Sequence, residues 1–266
     1  MPELPEVETI ARDLATKITG RRISSVRAAF AGSIDPRGLP GTALEGDSIV
    51  RVGRIGKYVV LSLASGRTLA IHLRMTGRLI VDPPQKPAYT RVTLHFADGG
   101  TLAFADARKF GRLRILEGDP RHALGVGIDP FDRALTPRRL GELLRGRKTP
   151  IKVWLLDQRH VSGIGNIYAC EALFDAGIRP RRAAGRLNAR QRAQLLRSLR
   201  RVLRKAISHR GSSVDDYVDT EGKQGGFQKR LTVYGRRGMP CRRCKATIRR
   251  IVLAQRGTFF CPVCQQ

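Results

Sequence analysis

The sequence predicts an α+β protein of two domains: an N-terminal helix plus β-sandwich, then a helical domain that ends in a four-cysteine zinc-ribbon hairpin. Three observations carry this expectation. Short alternating segments fill the first half, longer helical periodicities fill the second, and four cysteines fall in the last 26 residues. At 266 residues the chain is long enough for two ordinary hydrophobic cores.

The first element is a helix. Pro5 suits a first turn, Glu6 and Glu8 complement the macrodipole, and Leu4, Val7, Ile10, Leu14 and Ile18 form one apolar stripe. Alternating runs follow at 23–30, 49–53, 58–63, 68–73, 78–81, 92–96, 101–104 and 113–116, separated by Gly, Pro and Asp turns. That spacing suits a β-sandwich or a flattened barrel. The character changes around 125–136, where Asp129-Pro130 and Thr136-Pro137 read as loop and cap, and Leu140, Leu143 and Leu144 begin a helix. Further helices are expected at 151–157, at 167–176 closed by Gly177, and at 189–208 behind an Asn188/Gln191 capping box. The last carries Arg192, Arg197, Arg200, Arg201, Arg204 and Lys205, read as a solvated face. Residues 214–234, glycine-containing and polar, read as a lid or as a linker.

Lysine and arginine number 50 against 22 acids, a formal charge of +28, yet 41% of residues are hydrophobic. A folded chain this basic implies a polyanionic partner. Anionic membrane is the competing partner, but no 18-residue apolar run exists and the N-terminus is acidic rather than signal-like. A cytoplasmic, nucleoid-associated protein in contact with nucleic acid is expected. Cys241 and Cys244 are separated by sixteen residues from Cys261 and Cys264, the spacing of two knuckles around one tetrahedral zinc. The stretch 247–260 between them fits a hairpin turning at 255–257. Two disulfides are the alternative, disfavoured without an export signal. Cys170 lies in an apolar helical pattern and reads as core.

Pro2 and Glu3 suggest covalent chemistry. Removal of Met1 would expose a secondary amine beside a carboxylate, and α-amino groups titrate near about 7.7–8.0, so a useful fraction is neutral and nucleophilic. Condensation with a sugar aldehyde leaves an iminium with no N–H to lose, an electron sink for β-elimination, while Glu3 moves protons. A retained methionine would block the amine. The plainer reading of the same residues is a helix start, and both can hold. Between two helices, Gly163-Ile164-Gly165-Asn166 offers backbone N–H groups and a helix N-terminus to a phosphate; with no preceding strand and no P-loop lysine, a nucleotide cofactor is not indicated.

Six motifs then stand in order: PELPEVET at 2–9, HLRMTG at 72–77, DARKFGR at 106–112, GIGNIYACE at 163–171, VYGRRGMPC at 233–241 and QRGTFFCPVCQ at 255–265. From end to end the chain resembles the bacterial formamidopyrimidine-DNA glycosylases, the 8-oxoguanine DNA glycosylase/AP lyases. Leu4 and Val7-Glu8-Thr9 resemble this family more than its endonuclease VIII relatives, which favour oxidised pyrimidines. The resemblance implies a catalytic β-sandwich domain over 1–130, a helix–two-turn–helix DNA-binding domain over 131–235 and a zinc finger over 236–266. It implies a bifunctional enzyme that excises oxidised purines (8-oxoguanine opposite cytosine, and formamidopyrimidines) through a Pro2 Schiff base with β,δ-elimination.

By resemblance, Pro2 is the nucleophile, Glu3 the acid/base, and Lys57 the hairpin lysine that reaches the lesion and its flanking phosphate; without the family, Lys57 reads as a surface strand cation. Glu6 supports the site rather than attacking. Met75, Arg108 and Phe110 match the residues that fill the gap left by an extruded nucleotide, chemistry in accord with a flexible thioether, a base-pairing cation and a wedge. Alone they would read as core or surface. His72, Lys152, Asn166 and Arg256 match phosphate contacts that bend the duplex. Thr220, Gly222 and Gly225 fall in the loop that caps the extruded purine. That loop and Thr76 leave lesion preference open. Cys241, Cys244, Cys261 and Cys264 hold one structural Zn2+. The implied partner is double-stranded DNA containing oxidised purines or abasic sites, bound by a monomer, with no membrane. A pyrimidine-specific relative and a non-catalytic, architectural DNA-binding protein are the alternatives. The arginine surplus has no site-specific account.

Overall fold

The computed structural model describes residues 1–214, 217–220 and 222–266. It divides into two compact units, Met1–Gly125 with His209–Gly226, and Val126–Ser208 with Phe227–Gln266.

In the first unit the apolar stripe forms helix α1 (Leu4–Ile18), and every residue of that stripe is buried. Eight strands follow: β1 (Ile23–Ala28), β2 (Ile49–Ile55), β3 (Tyr58–Leu63), β4 (Thr68–His72), β5 (Arg78–Val81), β6 (Thr90–Phe96), β7 (Thr101–Ala105) and β8 (Arg112–Leu116). They make two antiparallel four-stranded sheets, β2-β3-β4-β8 and β1-β6-β7-β5, so the sandwich is realised and the flattened barrel is not. Strict alternation in β6 buries Val92, Leu94 and Phe96 while Arg91, Thr93 and His95 are partly exposed. By contrast β4, central in its sheet, is buried at every position, as expected where both faces are covered. Helix α1 touches β2, β3 and β5, elements of both sheets. A short helix α2 (Pro120–Leu124), capped by Asp119 and ended at left-handed Gly125, closes the segment.

The chain re-enters this unit at 209–226. Arg210 there pairs with Asp13 of α1 (2.6 Å) and with Asp219 (2.7 Å), and Tyr217 joins the sandwich core. The stretch read as one lid or linker is therefore shared: its first part belongs to the sandwich and residues from Phe227 belong to the second unit.

That second unit holds α3 (Pro137–Leu144), capped by the Thr136 hydroxyl, then α4 (Ile151–Leu156), α5 (Asn166–Asp175) and α6 (Ala189–Ser208). The hairpin β9 (Arg249–Leu253) and β10 (Arg256–Phe260) completes it. The Asn188/Gln191 capping box forms reciprocally, at 2.9 and 3.1 Å. Cys170 is fully buried, against Phe174, Val233 and Ile248. On α6 the face read as solvated is only partly so. Arg200 turns inward and donates to the carbonyls of Pro130, Asp132 and Leu135, and Arg204 lies over the Phe131 ring. Carbonyls at the end of a loop need donors, and a guanidinium offers several in one plane.

Leu14 is fully enclosed between α1 and the strands. Leu14→Ala should therefore lower unfolding stability by about 3 kcal/mol, read by urea denaturation. A loss too small to measure would contradict a helix seated on the sandwich core.

Candidate functional site

The helix start is tightly held. Glu3 sits at the N-cap with extended backbone (φ −106°, ψ −170°), and Pro2, Glu3 and Glu6 are all buried. Glu6 accepts the Glu3 N–H at 2.8 Å with one oxygen and the Ser212 N–H at 2.7 Å with the other. It thereby joins the N-terminal turn to the re-entrant segment. Gly211 permits this approach: its φ is +79°, and a Cβ there would stand 2.7 Å from the Glu6 carboxylate.

The re-entrant loop is anchored at its base. Thr220 is buried, its hydroxyl donating to Asp13 at 3.2 Å. Gly222 adopts φ +77° and donates to the Asp219 carbonyl at 3.1 Å. Gly225 donates to the Ser213 hydroxyl at 2.9 Å, and a Cβ on it would lie 2.4 Å from the Gly211 carbonyl oxygen. Glu221, part of the loop expected to cap a base, lies outside the described residues.

A second group forms on the sheet β2-β3-β4-β8. Lys57 and Gly56 make the two-residue turn between β2 and β3, with Gly56 supplying the positive φ of +58° that such a hairpin requires. Lys57 is buried rather than a free surface cation. His72 ends β4 opposite Tyr58, whose ring meets it edge-on at 4.8 Å. Burial, then the charges of Arg74 and Lys57, push the His72 imidazole down to about 3. The ring is therefore neutral near pH 7. Its Nδ1 accepts the Arg74 N–H at 3.0 Å, which leaves the proton on Nε2 as a donor.

Met75, Arg108 and Phe110 come together from two separate loops. The Arg108 guanidinium lies 3.5 Å from the Met75 sulfur and 4.9 Å from the centre of the Phe110 ring. Phe110 is 48% exposed, so an aromatic face projects into solvent instead of joining the core.

In the second unit Asn166 opens α5 and donates to the Gly257 carbonyl at 3.0 Å, bringing the helix start beside the tip of the zinc hairpin. Its Oδ1 is buried with no hydrogen-bond partner among the described residues. The preceding turn is set by Gln158, which accepts from the Gly163 N–H and donates to the Leu156 and Ile164 carbonyls. Ala254 and Gln255, at φ +46° and +61°, form the hairpin turn, and Arg256 follows it, exposed. Lys152 is different: it is fully buried on α4.

The four cysteine sulfurs lie within 4.8 Å of one another. Cys241–Cys264 at 3.9 Å and Cys244–Cys261 at 3.4 Å are too far apart for disulfides. They suit thiolates around a tetrahedral zinc, whose Zn–S bonds of about 2.3 Å set sulfurs about 3.8 Å apart. This zinc finger is positioned for one metal ion, and four thiolates complete its coordination.

Two buried side chains outside the expected set position this unit. Glu171 accepts from the Val233 and Tyr234 N–H groups, both at 2.9 Å, and from Thr232 through N–H and hydroxyl. Gln265 accepts the Cys261 N–H at 2.8 Å and donates to the Ile178 carbonyl at 2.9 Å. Glu171 had a signal in the sequence, a lone acid inside the apolar run Ala169–Phe174. Gln265 had none.

The domain family described as the formamidopyrimidine-DNA glycosylase N-terminal domain matches residues 1–113, the formamidopyrimidine-DNA glycosylase H2TH domain matches 126–218, and the zinc finger found in FPG and IleRS matches 238–266. The formamidopyrimidine-DNA glycosylase of Chloroflexus aggregans is 46% identical, over 100% of this chain and 98% of its own. The MutM (Fpg) protein of Thermus thermophilus superposes with a TM-score of 0.89 at 39% identity, over 99% of this chain and 98% of its own. A variant of the Lactococcus lactis FPG, in complex with DNA containing Fapy-dG, superposes with a TM-score of 0.88 at 36% identity over 100% of both chains. By matches that span its whole length, the chain belongs to the formamidopyrimidine-DNA glycosylase family of DNA repair enzymes.

Proposed function

We propose that this glycosylase excises oxidised purines, 8-oxoguanine opposite cytosine and ring-opened formamidopyrimidines, and then cuts the strand through an imine on Pro2. The observation that carries the reading is the buried N-terminal turn, in which Glu6 ties the residues flanking the future amine to the re-entrant loop. With Met1 removed, the Pro2 nitrogen attacks C1′ of the damaged nucleotide and the base departs with a proton. Glu3 assists opening of the sugar ring. The resulting iminium draws electrons from C2′, so the 3′ phosphate leaves by β-elimination and the 5′ phosphate by δ-elimination. Hydrolysis then frees Pro2.

Chemistry on a stacked base requires extrusion of the nucleotide, at a cost of a few kcal/mol. Met75, Arg108 and Phe110 fill the gap, with Arg108 donating to the orphaned cytosine. Thr220, Gly222 and Gly225 belong to the loop that covers the extruded purine. Lys57 and neutral His72 contact phosphates from the first unit, Asn166 and Arg256 from the second; the bond to the Gly257 carbonyl orients the Asn166 amide. Lys152 would act from within α4 rather than as an exposed cation. By function, residues 1–130 carry the chemistry, 131–235 the helical grip except where the chain returns to the first unit, and 236–266 the zinc hairpin. The enzyme works as a monomer on duplex DNA in the cytoplasm. No helix among the described residues is long and apolar enough to cross a membrane.

Pro2→Gly should bind 8-oxoguanine duplex but lose most strand cutting and most of the borohydride-trapped adduct; unchanged nicking refutes the role of Pro2. In the wild type, a panel of single-lesion duplexes should favour oxidised purines over oxidised pyrimidines. Arg256→Ala should weaken binding to damaged and undamaged duplex alike and reduce the slope of log K against log salt by about 1. A loss confined to one lesion would show that Arg256 reads the base. Cys244→Ser should lose the metal and disorder the hairpin. One zinc per chain in native mass spectrometry of that variant would contradict ligation by all four thiolates.

A further inference from the structure

Met75 lies on the loop from β4 to β5, and Arg108 and Phe110 on the loop from β7 to β8, so both loops cross between the two sheets. One side chain bonds to both. Asp106, 1% exposed, accepts the Thr76 hydroxyl and, at 3.2 Å, the Arg108 N–H with one oxygen. Its other oxygen accepts the Gly111 N–H at 2.7 Å. The Arg108 N–H also reaches the Thr76 hydroxyl oxygen at 3.3 Å, which closes a small ring of three groups.

The placement is specific. Thr76 directly follows Met75, and the Arg108 and Gly111 amides bracket Lys109 and Phe110. Both loops carry a non-glycine residue at positive φ, Arg74 at 55° and Lys109 at 58°. Such backbones persist only where their surroundings over-determine them. Gly111 admits the tight return, because a Cβ there would meet the Phe104 ring at 2.3 Å. The Asp106 backbone is fixed too, its N–H donating to the Tyr89 carbonyl and its carbonyl accepting from Arg91.

We propose that Asp106 is a positioning residue that makes Met75, Arg108 and Phe110 enter the duplex as one rigid unit, with the Thr76 hydroxyl coupling the two loops. The idea rests on the gap-filling role assigned above. Wedge rigidity then matters most where a paired base must be extruded, and less at an abasic site, where little stacking remains to be broken. A merely structural Asp106 would affect both substrates equally.

The test compares Asp106→Asn, Thr76→Val and Thr76→Ser with the wild type under single-turnover conditions. Substrates are an 8-oxoguanine:cytosine duplex and a duplex with a preformed abasic site; 2-aminopurine beside the lesion reports unstacking. Asp106→Asn and Thr76→Val should slow excision from the paired lesion by about tenfold, keep abasic cleavage within about twofold of wild type, and lose the fluorescence rise. Thr76→Ser, which keeps the hydroxyl, should match the wild type in all three. Equal slowing on both substrates, or no slowing on either, overturns the proposal, and Thr76→Val decides it should Asp106→Asn fail to fold. A wild type that excises no oxidised purine would overturn the proposed function instead.

Discussion

The first unit depends on a buried carboxylate, Glu6, that stands at a helix N-terminus and accepts N–H groups from two parts of the chain far apart in sequence. Enclosing an unpaired carboxylate costs on the order of several kcal/mol. Here two charge-assisted backbone bonds and the positive end of the α1 dipole offset the cost. The consequence is geometric. A shift of the N-terminal turn or of Ser212 would break one of these bonds, so the turn that carries Pro2 and the re-entrant loop are held to one geometry.

The same device recurs. Asp106 holds two inter-sheet loops, and Glu171 holds residues 232–234 where the chain turns toward the zinc finger. In a chain with 50 basic and 22 acidic residues, acids are the scarcer charge, and these three are used inside on backbone amides rather than in surface pairing. Several remaining acids neutralise particular arginines, as Asp82 and Asp98 do for Arg21 and Asp13 and Asp219 for Arg210. Apart from side chains such as Lys57, Lys152 and Arg200, most of the basic excess is partly or wholly exposed, where it draws a polyanion over distances set by ionic strength. His72 shows the complementary case: between Lys57 and Arg74 a further positive charge would be costly, and a neutral ring still offers one N–H.

The strands and helices were legible because each has a period that burial enforces. All eight sandwich strands sit where alternation placed them, with ends moved by one or two residues. The zinc finger was legible from spacing alone, and the family from six motifs. What the sequence did not reveal was non-local. The return of residues 209–226 to the sandwich depends on Arg210 finding Asp13 across almost two hundred residues, and a polar, glycine-containing stretch carries no periodicity to announce it. Arg200 reads as a solvated helix arginine until loop carbonyls are placed beneath it. Asp106 reads as an ordinary charge, because an acceptor for backbone amides looks the same in sequence as a surface acid; only the apolar run around Glu171 sets that acid apart. Lys152 looks exposed at the start of a short helix and is enclosed.

The zinc finger shows how a structural metal governs where an exposed arginine stands. Arg256 stands beside a two-residue turn at the far end of a two-stranded ribbon, and isolated hairpins are marginal in water. Three of the contacts that hold this one to the helical unit are Asn166 to Gly257 at the tip, Gln265 to Ile178 at the base, and Glu171 to the approach at 232–234. Two of the three start from α5, the helix whose first turn presents Asn166. Both knuckles, one before β9 and one after β10, must be closed for the strands to stay in register, and four thiolates crowded within 4.8 Å repel one another unless a cation sits among them. The metal thus acts through the backbone, by keeping the Arg256 guanidinium and the Asn166 amide on one rigid body.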